Sequence, residues 1–457
     1  MHDKAHGLFH EASFRDRVAR GTASRGVLMA MGGLCARFSP RPQSRRRGPE
    51  FAAAAKKALG EDIGRITLEN AQTALLLVHV ATGECDPDAA SIYFVVASRM
   101  VQILKLRDGS DDDDAVTRET KLRIWWSCFI LDTWSSRGAN IRRQFMADHG
   151  PEGRPRLPME ESVFSSLKPG DPEPADRGRG LWACVVELIE IYTHIQDFHL
   201  DLATSEIWDD EAIATIVAAF EARMRVLEDS LAPSMSYTPA NLGRYISRGL
   251  GDAFLAFHLG LNHYYTLLYY LYLDQRRVHK THSVSTITSR GQAYAEKCKH
   301  YATQVSDILH TARQRDGCAL VYNIVSHVTV VSSSVLLHTY LFGDVGDLPA
   351  AKDRLQSNFE TLVLLRQYWP SVELMTKRLV IFQDNCLRSL SREDTYRFDR
   401  WMMRFLLEHW LALEDKAVTS AEVQSPGYVE PGSVDQVHFQ RSKVTNEIIT
   451  GMPDMEQ

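Results

Sequence analysis

Residues Ala115 to Gly138 read AVTRETKLRIWWSCFILDTWSSRG, and the reading of this stretch decides the fold. Apolar residues recur at Leu122, Trp125, Trp126 and Phe129, and the small Thr133 and Ser136 continue the row. A spacing of three and four marks one face of a helix, so a core helix is expected here. Asp132 falls one helical step beyond Phe129, at or beside the buried face. An ionised carboxylate taken out of water is costly unless it is paired, so Asp132 needs a partner.

The preceding amphipathic segment, residues 88–106, offers one. Its apolar row runs Ile92, Val96, Arg99, Ile103, and Arg99 is the one charge on it. The two helices are therefore expected to pack antiparallel, with Arg99 and Asp132 as a desolvated ion pair, because opposite charges act strongly only within about 4 to 6 Å.

Ala97, Arg99, Met100, Leu104 and Leu106, then an acidic loop, then Glu119, Arg123, Trp126 and Asp132 stand in an order and spacing that resemble the fungal-specific transcription factor domain. That domain is the regulatory region of fungal zinc-cluster transcription factors. Residues 67–81, TLENAQTALLLVHVA, are similar to the helix that precedes this pair in the family, and residues 28–40, LMAMGGLCARFSP, to its opening helix. The resemblance runs from about residue 28 to 164 and includes PRLPMEESVF, similar to the crossing that follows the pair. Leu122 stands where the family often has a second Arg, and GANIRRQ replaces its usual Gly-Arg-Pro turn. The resemblance implies a nuclear transcription regulator of metabolic or secondary-metabolite genes, partnered by other regulators or by itself.

Working outward, no long alternation of apolar and polar residues appears, so the expected class is all-α. Residues 1–27 read as an N-terminal extension, 28–415 as a large single helical domain, and 416–457 as a flexible tail rich in Ser, Pro, Gly and charge. Helices are expected at 51–59, 66–82, 180–204, 209–231, 239–278, 284–315, 318–342 and 350–369, and a closing segment at 371–415. There, Ser391 and Asp394 resemble a capping box.

The 457 residues are 44% hydrophobic and 24% charged with a formal net charge of -6, which does not suit a chain that coats nucleic acid. Residues 1–50 carry ten Lys or Arg against four Asp or Glu; RPQSRRR at 41–47 is read as a solvated basic loop. Seven cysteines lie far apart, none closer than Cys298 and Cys318, a pattern of free thiols in a reducing compartment. A zinc cluster needs six closely spaced thiolates, so the family's DNA-binding module is not expected within this sequence. DNA contact would then be indirect, through an upstream exon or a partner, or the chain would act as a co-regulator.

No catalytic, cofactor or metal site is expected. Asp111 to Asp114 lack the DDxxD spacing of an isoprenoid cyclase because residue 115 is alanine, and HExxH, GxSxG and GxxxxGK[ST] patterns are missing. Residues 254–273, FLAFHLGLNHYYTLLYYLYL, are long enough to span a bilayer, but His258, Asn262, His263 and five tyrosines argue for a buried core helix. An aromatic wall with polar tips suits a small organic effector, so Phe257, Tyr265 and Tyr269 are the candidate effector pocket, facing residues 318–342. A helical interaction scaffold without a transcriptional role is the alternative function.

Overall fold

The computed structural model describes residues 7–145, 153–205, 207–273, 286–390 and 399–413, with backbone alone for 286–288 and 387–390. The helices in chain order begin with α1 (Glu11–Ala19), α2 (Arg25–Cys35), α3 (Pro42–Arg46), α4 (Gly48–Glu61), α5 (Leu68–Gly83), α6 (Pro87–Ile103) and α7 (Ala115–Gly138). They continue with α8 (Glu161–Ser166), α9 (Leu181–Thr204), α10 (Asp210–Asp229), α11 (Pro239–Ser247) and α12 (Gly251–Tyr269). The last are α13 (Thr286–Gln314), α14 (Ile324–Phe342), α15 (Leu348–Arg366), α16 (Val372–Leu390) and α17 (Arg400–Leu407). No strand occurs among the described residues, and the fold is all-α. The expected tail at 416–457 and the Ser391–Asp394 cap lie outside the described residues.

The chain forms two compact units, residues 1–194, 227–257 and 368–371, and residues 195–226, 258–367 and 372–457. In the first, α2, α4, α5 and α6 pack side by side, and α6 also meets α7. α5 is buried almost all round: its run from Ala74 to Val78 is apolar, and Asn70, Gln72 and Thr73 are buried as well. Side-chain caps start three of these helices: Thr67 accepts from the Asn70 N–H, Asp86 from Ala89 and Asp114 from Thr117. Each cap is worth about 0.5–2 kcal/mol. The acidic run is thereby given a role: Asp114 opens α7, and Asp113 pairs with Lys121 at 2.6 Å.

α6 differs from its expected orientation. The face that packs is Ala90, Phe94, Ala97, Met100 and Val101, whereas Ile92 is 64%, Ile103 51% and the neighbouring Val95 51% exposed. The helix is apolar on two faces, and burial against α5 selects the one with small residues, which allows close approach. The row containing Arg99 points outward.

In the second unit α14 is the centre, every residue from Val325 to Leu341 being buried, with α13, α15 and α16 around it. Its hydroxyls are satisfied along the helix and across it; Ser332 donates to the Ala302 carbonyl at 2.8 Å and Asn358 to Ser333 Oγ at 3.1 Å. α14 is long and apolar enough by composition to cross a membrane, yet 94% of its most apolar window is buried inside the protein. The helix expected at 239–278 is interrupted. Gly249 adopts φ +68°, and Leu250 N–H bonds the Tyr245 carbonyl at 2.8 Å. This left-handed cap ends α11 and starts α12 anew.

Candidate functional site

α7 carries the residues that bear the family resemblance, and its sequence fixes what they can reach. Glu119, Arg123 and Trp126 follow one another at four and three residues, so they form a row along the helix. Leu122, Trp125, Trp126, Phe129, Thr133 and Ser136 are all buried. Trp126 stands edge-on to Trp125 at 4.8 Å and to Phe129 at 5.5 Å, an arrangement that holds the ring rigidly.

The polar atoms of this row hold one segment of backbone. Glu119 Oε1 accepts from Arg123 Nε at 2.7 Å and from the Met159 N–H at 2.9 Å, while Arg123 Nη2 donates to the Met159 carbonyl at 2.7 Å. The pair therefore takes both the donor and the acceptor of Met159, much as a neighbouring strand would. Trp126 Nε1 donates to the Arg156 carbonyl at 2.9 Å. Arg177 reaches the other carboxylate oxygen of Glu119 at 2.7 Å and the Leu157 carbonyl at 3.2 Å. The Arg123 guanidinium lies 4.4 Å over the Phe164 ring. Buried charges persist only when paired and hydrogen-bonded; here Arg123 and Arg177 supply the pairing of Glu119, and the backbone of the crossing at 156–164 supplies further hydrogen bonds.

Asp132 holds the loop that follows α7. Its carboxylate accepts from Ser136 Oγ at 2.5 Å and from the Gln144 and Phe145 N–H groups at 2.6 and 2.7 Å. Burial outweighs these bonds and holds its carboxyl above the usual carboxylate range. Arg99 is not its partner: Arg99 is exposed and bonds Gln102 on its own helix at 3.2 Å. The expected ion pair fails because α6 turns its other face to the core, and backbone N–H groups of GANIRRQF take the guanidinium's place. Asp132→Asn, which turns an amide N–H toward donors, is expected to cost about 1–3 kcal/mol in urea unfolding. Arg99→Ala should stay within about 0.5 kcal/mol of the parent.

Arg177 and the backbone of Met159, Gln144 and Phe145 belong to these clamps but carry no periodic signal in the sequence. Arg177 sits in a stretch of Gly, Pro and charge, where spacing says nothing about which arginine turns inward. PRLPMEESVF was the one visible sign of the crossing.

Phe257 lies in the first unit, and Tyr265 and Tyr269 in the second. All three are buried. Tyr265 stacks on Tyr301 at 4.3 Å and Tyr269 on Tyr294 at 5.1 Å, so rings of α13 cover this part of the wall. Toward α14 the contact is made by Tyr270, whose hydroxyl meets Ser334 Oγ at 2.6 Å. Glu221 and Lys297 pair at 2.7 Å beside Tyr269, and burial followed by the Glu221 carboxylate pushes the Tyr269 hydroxyl far above its ordinary range. Between α13 and α15 runs an open polar groove lined by Ser306, Asp307, His310, Arg354, Ser357 and Glu360. Its Arg354 and Asp307 pair at 3.3 Å. No group of three or more His, Cys, Asp or Glu suited to a metal ion occurs among the described residues.

A row of buried side chains spent on binding loops of its own chain defines a structural signature of α7. Residues 3–149 match the family model of the fungal specific transcription factor domain. The match begins ahead of residue 28 and ends before the crossing at 156–164.

Among curated proteins, the Zn(2)-C6 fungal-type transcription factor FTF1c of Fusarium oxysporum f. sp. lycopersici is 21% identical over 93% of this chain and 49% of its own length. FTF2 of the same fungus is 22% identical over 93% of this chain and 42% of its own. An uncharacterized transcriptional regulatory protein of Schizosaccharomyces pombe is 26% identical over 36% of this chain and 18% of its own. The chain spans about half or less of the length of these relatives. No solved structure matches it.

Proposed function

We propose that the chain is the regulatory region of a fungal zinc-cluster-type transcription regulator, acting in the nucleus on metabolic or secondary-metabolite genes. The observation that carries this reading is the α7 signature. Glu119, Arg123, Trp126 and Asp132 bear the family resemblance, all four fall within the matched residues 3–149, and they are the side chains that clamp the flanking loops. The likeness of relatives named as transcription factors along 93% of the chain supports it further.

Such a region works by presenting surfaces to other regulators or to a second copy of itself, and DNA is contacted through a partner or a further segment of the protein. Fusion of the chain to a foreign DNA-binding module should move a reporter gene carrying that module's site, in either direction. A reporter that stays at its basal level, with the fusion folded and bound at the site, would leave the helical interaction scaffold as the better reading. Fluorescent tagging of the protein in a fungal cell should place it in the nucleus.

A further inference from the structure

The run RPQSRRR at 41–47, expected as a solvated loop, instead forms the short helix α3 and its C-cap Arg47. Its prolines explain where the turn begins. Ser39 and Arg41, each followed by a proline, hold extended backbone at ψ 135° and 116°, and the Ser44 and Arg45 N–H groups then close on the Arg41 carbonyl at 3.0 and 3.2 Å. No residue of α3 is buried, and Arg41, Arg45, Arg46 and Arg47 are all exposed. A single turn that buries nothing is marginal in water, so it can unwind without disturbing the core.

Three of its four guanidiniums are uncommitted. Arg17, Arg37, Arg123 and Arg177 of the same unit are tied to Glu69, Glu84 and Glu119. Arg41, Arg45 and Arg46 pair with no acidic group among the described residues. Arg47 reaches Glu50 at 3.6 Å with both side chains largely in water, a contact worth little. Four arginines with no lysine among them present planar forks that match carboxylates or phosphates two bonds at a time. The charge of the rest of the chain separates these two. Residues 1–50 carry ten Lys or Arg against four Asp or Glu, yet the whole chain has a net charge of -6. A long polyanion lying on the turn would also meet the acidic remainder, whereas a short cluster of carboxylates meets the arginines alone.

We propose that residues 41–47 are the handle by which a carboxylate-lined groove of a nuclear-import receptor takes up this chain, α3 unwinding so that successive arginines enter the groove. The inference rests on the nuclear reading above and adds to it the site and the chemistry of delivery.

Fluorescence anisotropy of the purified full chain with a purified nuclear-import receptor, across a salt series, tests this. Saturable binding weakened by salt is expected. Arg45→Ala with Arg46→Ala should weaken it at least about tenfold, the equivalent of one lost charge-assisted hydrogen bond, with the melting temperature unchanged. Arg15→Ala with Arg20→Ala, which removes exposed arginines already paired with Glu11 and Asp16 on α1, should leave binding as it was. In a fungal cell the Arg45 and Arg46 double variant should stay outside the nucleus that the parent enters. Absence of binding would overturn the proposal, as would equal losses in the two double variants. Binding of duplex DNA through Arg45 and Arg46, with no hold on the receptor, would overturn it too and give the turn to phosphates. A parent that stays out of the nucleus sinks the nuclear reading while the binding measurement still decides this one; a double variant as nuclear as its parent sinks this one alone.

Discussion

Arg123→Met is expected to lower the stability of the protein by about 1–3 kcal/mol, the cost of leaving the Met159 carbonyl and one bond of the Glu119 carboxylate unmade. Methionine keeps the apolar contact with Phe164 but removes the guanidinium from Glu119 and the donor from the Met159 carbonyl. Glu119 would retain the Met159 N–H and Arg177, so the loss should be smaller than for Glu119→Ala, which leaves Arg123 buried without its carboxylate. The double variant Arg123→Met with Glu119→Ala should cost less than the sum of the two, because neither buried charge then lacks its counterpart. Chemical denaturation of the four proteins measures the cycle. Additive losses would mean that the two side chains act separately, contrary to their shared hold on Met159.

Acid should unfold the second unit well before ordinary acid denaturation. His199, His263, His327, His338 and His409 all lie in it and are fully buried. Burial lowers His199 to about 4 and His263, His338 and His409 to about 3, and it also holds His327 well below the usual range. Neighbouring charges add to this: the His327 ring lies 4.4 Å from His409 and 5.7 Å from His263, and Arg378 depresses His409.

An unfolded chain binds protons at these imidazoles from about pH 6.5 downward, whereas the folded unit does not until about pH 4 or below. The contribution is thus complete above about pH 6.5 and lost as pH falls, at about 1.4 kcal/mol per pH unit for each imidazole. Between pH 7 and 5 this is about 2 kcal/mol each, and five of them approach the whole stability of a domain, about 5–15 kcal/mol. Hydrogen exchange at pH 7 and 5 should show amides of α14 losing protection. His199→Phe should flatten the pH dependence by about 1.4 kcal/mol per pH unit. An unchanged slope would mean that His199 is protonated inside the fold.

The two helices read first illustrate how much of this was legible. In α7 the apolar row, the burial of Asp132 and the order of Glu119, Arg123 and Trp126 were all visible, because the bulkiest residues, Trp125, Trp126 and Phe129, fall on one side and are buried there, although Ile124 and Cys128 on the other side are buried as well. In α6 the same method selected Ile92, Val96, Arg99 and Ile103, which face outward. Its sequence offers two apolar faces, and only the neighbour decides which is covered. The partner of Asp132 was hidden for a related reason: backbone N–H groups exist at every residue but proline and leave no mark in the sequence.

The aromatic wall was similarly legible as buried but not as filled. Tyrosines at 265 and 269 announce an apolar environment, yet whether a ligand or Tyr301 and Tyr294 stack on them depends on a helix thirty residues away.

By itself the sequence determined the helical class, the apolar row of α7 and the family to which that helix is similar. These rest on local rules of spacing, in which each residue acts through neighbours a few positions away. The tertiary structure alone decided the orientation of α6, the clamp of Glu119 and Arg123 on Met159, the capture of Gln144 and Phe145 by Asp132, and the gathering of histidines around α14. Each of these pairs groups far apart in the chain, and the energy that selects among the possible pairings is the desolvation of buried polar atoms, which arises only once the helices have packed.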